Sequence, residues 1–108
     1  MSELEYNGQL RVPEAHACFA AHFPGQPLVP GALLLQWLCQ RVAQQFPQQR
    51  VVEMASMKFL RPLLPGDVCA LKMRCQASRN RLRVELVCAG EMVCRGVLIV
   101  RSDEAEPS

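Results

Sequence analysis

From Val51 to Arg101 the chain reads as four strand-like segments, Val51–Leu60, Val68–Ala77, Leu82–Ala89 and Met92–Arg101, separated by short connections. Strands joined so closely must run antiparallel, because a parallel pair needs a crossover of a dozen residues or more. The connections carry matching turn chemistry. Pro65-Gly66-Asp67 suits a type II turn, with proline presetting φ at the second position and glycine accepting a positive φ at the third. Ser78-Arg79-Asn80-Arg81 and Gly90-Glu91 read as hairpin links. Within Leu82-Arg83-Val84-Glu85-Leu86 apolar and polar residues alternate, so one face of the sheet points inward and the other meets solvent.

One segment upstream has the other periodicity. From Gly31 to Phe46 the residues Leu34, Leu35, Trp37, Leu38, Val42 and Phe46 recur at helical spacing, and Pro47 supplies a stop. The first half of this helix is apolar nearly all round, so it demands burial on most sides and the sheet should wrap around it. The expected class is α+β, an antiparallel sheet around one long central helix, as a single domain over residues 1–108. Residues 1–12 read as a lead-in strand ending at Leu10-Arg11-Val12 before Pro13, and His16 to Phe23 as extended chain. Pro24 to Pro30 holds three prolines and a glycine, which makes a stiff loop. The polar, acidic stretch 102–108 is expected to fray.

Composition narrows the function classes. A chain of 108 residues, half of them apolar, forms one small core, and domains of this size bury further surface by pairing, so at least a dimer is expected. The net charge of +2 is too mild for a nucleic-acid binder, and no RNP-type aromatic run is present. No run approaches the ~20 apolar residues of a membrane span, and the opening Met1 to Tyr6 lacks the basic and apolar regions of a secretory signal. A cytoplasmic location is the expectation. Of the six cysteines, no two are separated by two residues and most sit in apolar, strand-like runs, so they read as buried free thiols rather than metal ligands or disulfides.

The chemistry is expected where His22-Phe23-Pro24-Gly25-Gln26-Pro27-Leu28-Val29-Pro30-Gly31 meets the helix. A histidine on a proline-stiffened loop, followed by a glycine opening a buried helix, can set a base beside a backbone N–H that binds a carbonyl oxygen. This ten-residue run, continued by Ala32-Leu33-Leu34-Leu35, closely resembles the signature of the FabA/FabZ-type 3-hydroxyacyl-acyl-carrier-protein dehydratases, which have the hot-dog fold. Lys58-Phe59-Leu60-Arg61-Pro62-Leu63-Leu64-Pro65-Gly66-Asp67 is similar to that family's strand and turn after the helix. The resemblance covers residues 10 to 101.

What the resemblance implies is dehydration of 3-hydroxyacyl thioesters in a lipid or polyene pathway. The acyl chain is carried on acyl carrier protein or coenzyme A, in a tunnel at a dimer interface. His22 matches the histidine that removes a proton from C2, and Gly31 matches the residue whose N–H binds the thioester carbonyl. Unpaired N–H groups and the positive end of the helix dipole favour charge building up on that oxygen. Phe23, Pro30, Leu33 and Leu35 are expected to line the substrate site. No metal or cofactor is implied, since eliminating water across C2–C3 involves no net electron transfer.

One position departs from the pattern. Fourteen residues after His22, where the family carries a Glu or Asp that protonates the leaving hydroxyl, this chain has Gln36. A primary amide donates a hydrogen bond but delivers no proton at neutral pH, and losing a positioned general acid forfeits on the order of 10²–10⁴ in rate. Three outcomes follow: Gln36 orients a water or a protonated His22 that passes the proton on, another acid enters from elsewhere, or the pocket is repurposed. Gln36 also fits a polar row with Gln40 and Gln44 at four-residue steps, which does not exclude a pocket role. Glu14 and Glu53 are the nearest acids in sequence, and neither matches a family catalytic position. Hydrolysis of acyl thioesters, or a non-catalytic role as binder or partner of an active subunit, are the alternatives.

The remaining residues have plain readings beside functional ones. His16 lacks the motif's context and reads as a strand-end packing residue. Leu33, Leu35 and Trp37 line a tunnel or fill the core. Arg79, Arg81 and Arg83, joined by Lys72, Arg74 and Arg95, form either a solvated sheet surface or a docking patch for an acidic carrier protein, whose approach positive potential would speed.

Overall fold

The structure, a computed structural model, describes residues 3–14 and 29–102. Five strands, β1 (Glu3–Arg11), β2 (Gln49–Phe59), β3 (Val68–Gln76), β4 (Arg81–Cys88) and β5 (Glu91–Ser102), form one antiparallel sheet in the order β1-β3-β4-β5-β2. One helix, α1 (Gly31–Gln45), lies against it. The expected α+β arrangement is present, with strand ends within two residues of the sequence reading. Ser102, read as part of the tail, instead closes β5 opposite Gln49. His16, the extended stretch His16–Phe23 and residues 103–108 lie outside the described residues.

The core is made by period-two and period-3.6 patterns meeting. Cys69, Leu71, Met73 and Cys75 of β3 and Leu82, Val84, Leu86 and Cys88 of β4 turn inward, while their alternates are exposed or half-buried. Leu34, Leu38 and Val42 of α1 recur at four-residue steps and close onto that layer. Leu33, Leu35 and Trp37 pack against the same core from the helix flanks. The helix ends at Gln45, with the buried Phe46 as its cap, donating its N–H to Val42 O at 2.8 Å. Pro47 follows and cannot continue the pattern.

Turn chemistry shapes the connections, but the Pro65-Gly66 turn does not join a hairpin as its short length predicts: β2 pairs with β5, and β3 with β1 and β4. Asp67 N–H donates to Leu64 O at 3.1 Å across Pro65 and Gly66, and Gly66 has φ +83°, the type II turn expected. Ala89 and Gly90, both at positive φ, make a two-residue link between β4 and β5. Asn80 adopts the left-handed conformation after a single 3₁₀ turn, Ala77–Arg79, and its side-chain amide donates to Val100 O at 2.9 Å. β2 is less regular: its pairing with β5 slips between Val51 and Glu53 and again between Met54 and Ser56. Gly96 permits this, since a Cβ there would collide with the Ser56 carbonyl oxygen.

β1 is tied to the helix by one cation. Arg41 donates to Tyr6 Oη at 3.0 Å and to Gln9 O at 2.8 Å, with its guanidinium carbon 5.9 Å from the Tyr6 ring centre. The outer edge of the sheet on the opposite side is β2.

Candidate active site

The helix begins at Gly31, after Pro30 in an extended conformation with φ −62° and ψ 143°. Pro30 O accepts from Leu33 N–H and Leu34 N–H, both at 3.0 Å, so the amides of Gly31 and Ala32 precede the first bonded turn. Among the described residues no side chain caps this end. Oriented N–H groups and the positive end of the dipole are thus presented at the helix tip, where they favour an electron-rich oxygen.

A cavity of about 300 Å³ opens there, walled by Val29, Gly31 and Leu34 on one side and by the Phe59–Leu63 segment on the other. Val29 N–H donates to Leu63 O at 2.9 Å and holds the two walls together. The Phe59 ring faces Gly31: a Cβ on Gly31 would meet it at 3.5 Å, an ordinary contact. Packing among the described residues therefore does not demand glycine, and the vacant side-chain position leaves the backbone open to close approach.

Arg61 is the one charged residue lining this cavity among the described residues. Its guanidinium lies 3.1 Å from Glu91 Oε1 and 3.5 Å from Asp67 Oδ2, and Nη1 donates to Pro62 O at 3.0 Å. Those bonds hold the wall in place. Desolvation is the largest single influence and lowers the guanidinium pKa, but the Glu91 hydrogen bond and the nearby negative charges, Asp67 and Glu91 among them, together raise it above its ordinary value. Asp67 also accepts Leu64 N–H at 2.9 Å, locking the turn behind the wall.

The expected site residues divide into three groups. Gly31 stands at the helix tip as anticipated, with Pro30 as its cap residue. His22 and Phe23 lie outside the described residues. Gln36 is exposed on the helix, Leu33 and Leu35 pack toward the core, and none of the three lines the cavity. Neither alternative acid lines it: Glu14 sits over Gly66 and Glu53 is exposed on β2 opposite Ile99. Phe59, Leu60 and Leu63 are wall residues the sequence reading did not assign, although the segment that contains them was quoted for the resemblance.

The cations on the sheet fall partly where the alternation put them. Arg81 and Arg83 are exposed on β4, but Arg79 belongs to the 3₁₀ turn and is not part of the strand's alternation. Across the sheet Lys72, Glu85, Arg95 and Lys58 stand in register on β3, β4, β5 and β2. A shallow cleft of about 480 Å³ there is bordered by Lys58, Arg83 and Arg95 around the single acid Glu85. No cluster of His, Cys, Asp and Glu suited to a metal ion occurs among the described residues, and no described helix is long and apolar enough to cross a membrane. The described cysteines are free thiols, four of them buried.

Comparison with known proteins places this geometry. The structure superposes on an acyl-CoA hydrolase from Staphylococcus aureus with a TM-score of 0.68 at 14% identity, covering 96% of this chain and 67% of that one, a likeness of hot-dog fold alone. It is similar to the dehydratase heterocomplex ApeI:P from Xenorhabdus doucetiae, with a TM-score of 0.78 at 26% identity over 90% of this chain and 87% of that one. A 3-hydroxyacyl-[acyl-carrier-protein] dehydratase FabZ from Histophilus somni is 28% identical over 95 residues, covering 71% of this chain; the chain spans 63% of that relative's length. The family model described as ApeI-like, ApeI dehydratase, matches residues 2–97. With nearly all the described elements inside that match, the chain belongs to the ApeI-like dehydratase family.

Proposed function

We propose that this protein dehydrates a 3-hydroxyacyl thioester, carried on acyl carrier protein or coenzyme A, to the 2-enoyl thioester. The observation that carries the reading is the cavity at the helix tip, which no described side chain caps, open above Gly31, in a member of a dehydratase family. His22 removes a proton from C2. The electron density that builds on the thioester oxygen is received by the Gly31 N–H. The C2–C3 double bond forms as the C3 hydroxyl departs, and that hydroxyl leaves as water only if a proton reaches it. No carboxylate among the described residues lines the cavity, and the Gln36 amide carries no acidic proton to give.

The missing acid is best supplied by a second chain. Gln36 and the apolar edge of β2 are both exposed in the single chain, which leaves them available to an assembled pair. In a homodimer both sites carry Gln36 and the reaction is slow. Pairing with an unlike subunit that bears a carboxylate at the equivalent helix position gives one complete site, and the similarity to a dehydratase heterocomplex favours this arrangement. Arg81 and Arg83, together with Lys58, Lys72 and Arg95, offer an acidic carrier protein a positive landing surface.

The test is direct. Incubation with a 3-hydroxyacyl thioester yields an enoyl product with the thioester intact; release of free thiol from a saturated acyl thioester instead identifies a thioesterase. His22→Ala removes activity by a factor on the order of 10²–10⁴, and Gln36→Glu raises turnover of the homodimer. Full activity in the His22 variant overturns the reading.

A further inference from the structure

Buried thiols are ordinarily inert space-fillers, but two of the cysteines are placed differently from the rest. Cys69 near the start of β3 and Cys88 at the end of β4 are register partners on neighbouring antiparallel strands. Both face the core, 1% and 5% exposed, and Cys88 stands near enough to raise the Cys69 thiol pKa. Residues directly opposed in an antiparallel pair have Cα atoms about 4.5 or 5.5 Å apart, according to the class of pair. Either value falls inside the window of about 4.4–6.8 Å in which a disulfide closes without moving the backbone. Cys75 faces Leu82, and Cys94 faces Leu86 and Phe59, so no other two described strand cysteines are opposed.

We propose that Cys69 and Cys88 close reversibly into a cross-strand disulfide that stiffens the wall of the helix-tip cavity. The two cysteines are close in sequence to the residues that clamp Arg61. Asp67, which holds Arg61 from one side, is two residues before Cys69, and Glu91, which holds it from the other, is three residues after Cys88. Asp67 O also accepts Val12 N–H at 2.8 Å, and Leu63 O accepts Val29 N–H, so the start of β3 anchors the whole segment around the cavity. A bond across these two strand ends removes their freedom to separate, and the clamp residues on either side move less.

The chemistry balances with a low-molecular-weight disulfide, RSSR, as oxidant. Cys88, the more exposed partner and the one next to the Ala89–Gly90 turn, attacks one sulfur as its thiolate. The S–S bond of RSSR breaks, RS⁻ leaves, and Cys88–S–SR forms. Cys69 then gives up its proton and attacks Cys88 Sγ; the Cys69–Cys88 bond forms and the second RS⁻ leaves. The two departing thiolates take up the two protons, so two protein thiols are oxidised and RSSR is reduced to two RSH. Burial, with Cys88 close by, pushes the Cys69 thiol up to about 12, which makes closure the slower step and quickens it as pH rises.

The experiment treats the full chain with glutathione and its disulfide at graded ratios, then alkylates under denaturing conditions for mass spectrometry. The expected product is a reductant-sensitive link between the peptides bearing Cys69 and Cys88, with two thiols lost per chain and a melting temperature raised by about 5 °C. Amide exchange at Leu64 and Asp67 slows roughly tenfold in the oxidised protein. Cys88→Ala and, separately, Cys69→Val abolish both the link and the thermal shift; two variants keep the test interpretable if one fails to fold. Persistence of both thiols until global unfolding, adducts scattered over other cysteines, or a link that leaves exchange unchanged overturns the proposal. All readouts are independent of turnover, so a failed dehydratase assay sinks the functional reading and leaves this one standing.

Discussion

In the β3–β4 hairpin the inward positions are sealed, with Leu71, Met73, Leu82, Val84 and Leu86 at most 1% exposed, whereas β2 leaves Val52, Met54 and Phe59 between 44% and 47% exposed. The first region completes itself within one chain. The second is an edge strand with apolar side chains in the open, a combination that single folded domains usually avoid by charging or covering the edge. The cavity belongs to the second region, since Phe59 ends β2 and the following Leu60–Leu63 segment forms its wall. The sealed core is therefore concentrated on one side of the sheet, and the cavity and the exposed apolar edge lie on the other.

The widest separation between the two regions is expected from truncation. Leu71→Ala removes a fully enclosed side chain and should cost about 2–5 kcal/mol in denaturant unfolding. Met54→Asp, on the exposed edge, should leave the hairpin folded while shifting the chain to a monomer in sedimentation and lowering turnover with it. If Met54→Asp destabilises the isolated chain as much as Leu71→Ala does, the two halves of the sheet are not distinct.

A smaller effect comes from alkali, and it falls on buried thiols of the sheet. Burial pushes the Cys94 thiol up to about 11 and, with Cys88 close by, the Cys69 thiol up to about 12. The folded values lie above the unfolded one, so the stability they contribute is fully present below about pH 9 and is lost as pH rises toward the folded values. In that window the unfolded chain holds fewer protons than the native one, and stability declines by about 1.4 kcal/mol per pH unit for each such thiol. Denaturation midpoints between pH 8 and pH 10.5 check this, with Cys94→Ala expected to flatten the decline.

The same division decides how much was legible in the sequence. Leu82-Arg83-Val84-Glu85-Leu86 alternates because one face is core and the other solvent, and the structure returns that pattern residue by residue. The type II turn at Pro65-Gly66 was equally plain, since its φ values are local properties of two residues. In β2 the side-chain period breaks at two slips in pairing, which arise from how the strand is drawn onto β5, and Gly96 was the single local hint. The helix start at Gly31 was readable from the Pro-Gly step. Phe59 and Leu63 were not, because apolar residues after a strand look the same whether they wall a cavity or fill a core. The exposure of Gln36 was hidden for a different reason: helical spacing fixes a face but not what stands opposite it.

The finest test of the division is Gly31→Ala, where the two regions meet. Gly31 opens the helix without a positive φ, and the added methyl would reach the Phe59 ring at 3.5 Å, so the fold accommodates it. Helix propensity and a less flexible unfolded chain favour alanine by about 0.4–1 kcal/mol, and the melting temperature should hold or rise by a few degrees. The methyl nevertheless occupies the space above the N–H that a thioester oxygen needs. Turnover should drop about tenfold or more while stability does not, reflecting the loss of part of an oxyanion contact. A variant that keeps wild-type turnover at unchanged stability would mean that the helix tip does not bind the carbonyl, and that the cavity over Gly31 serves packing alone.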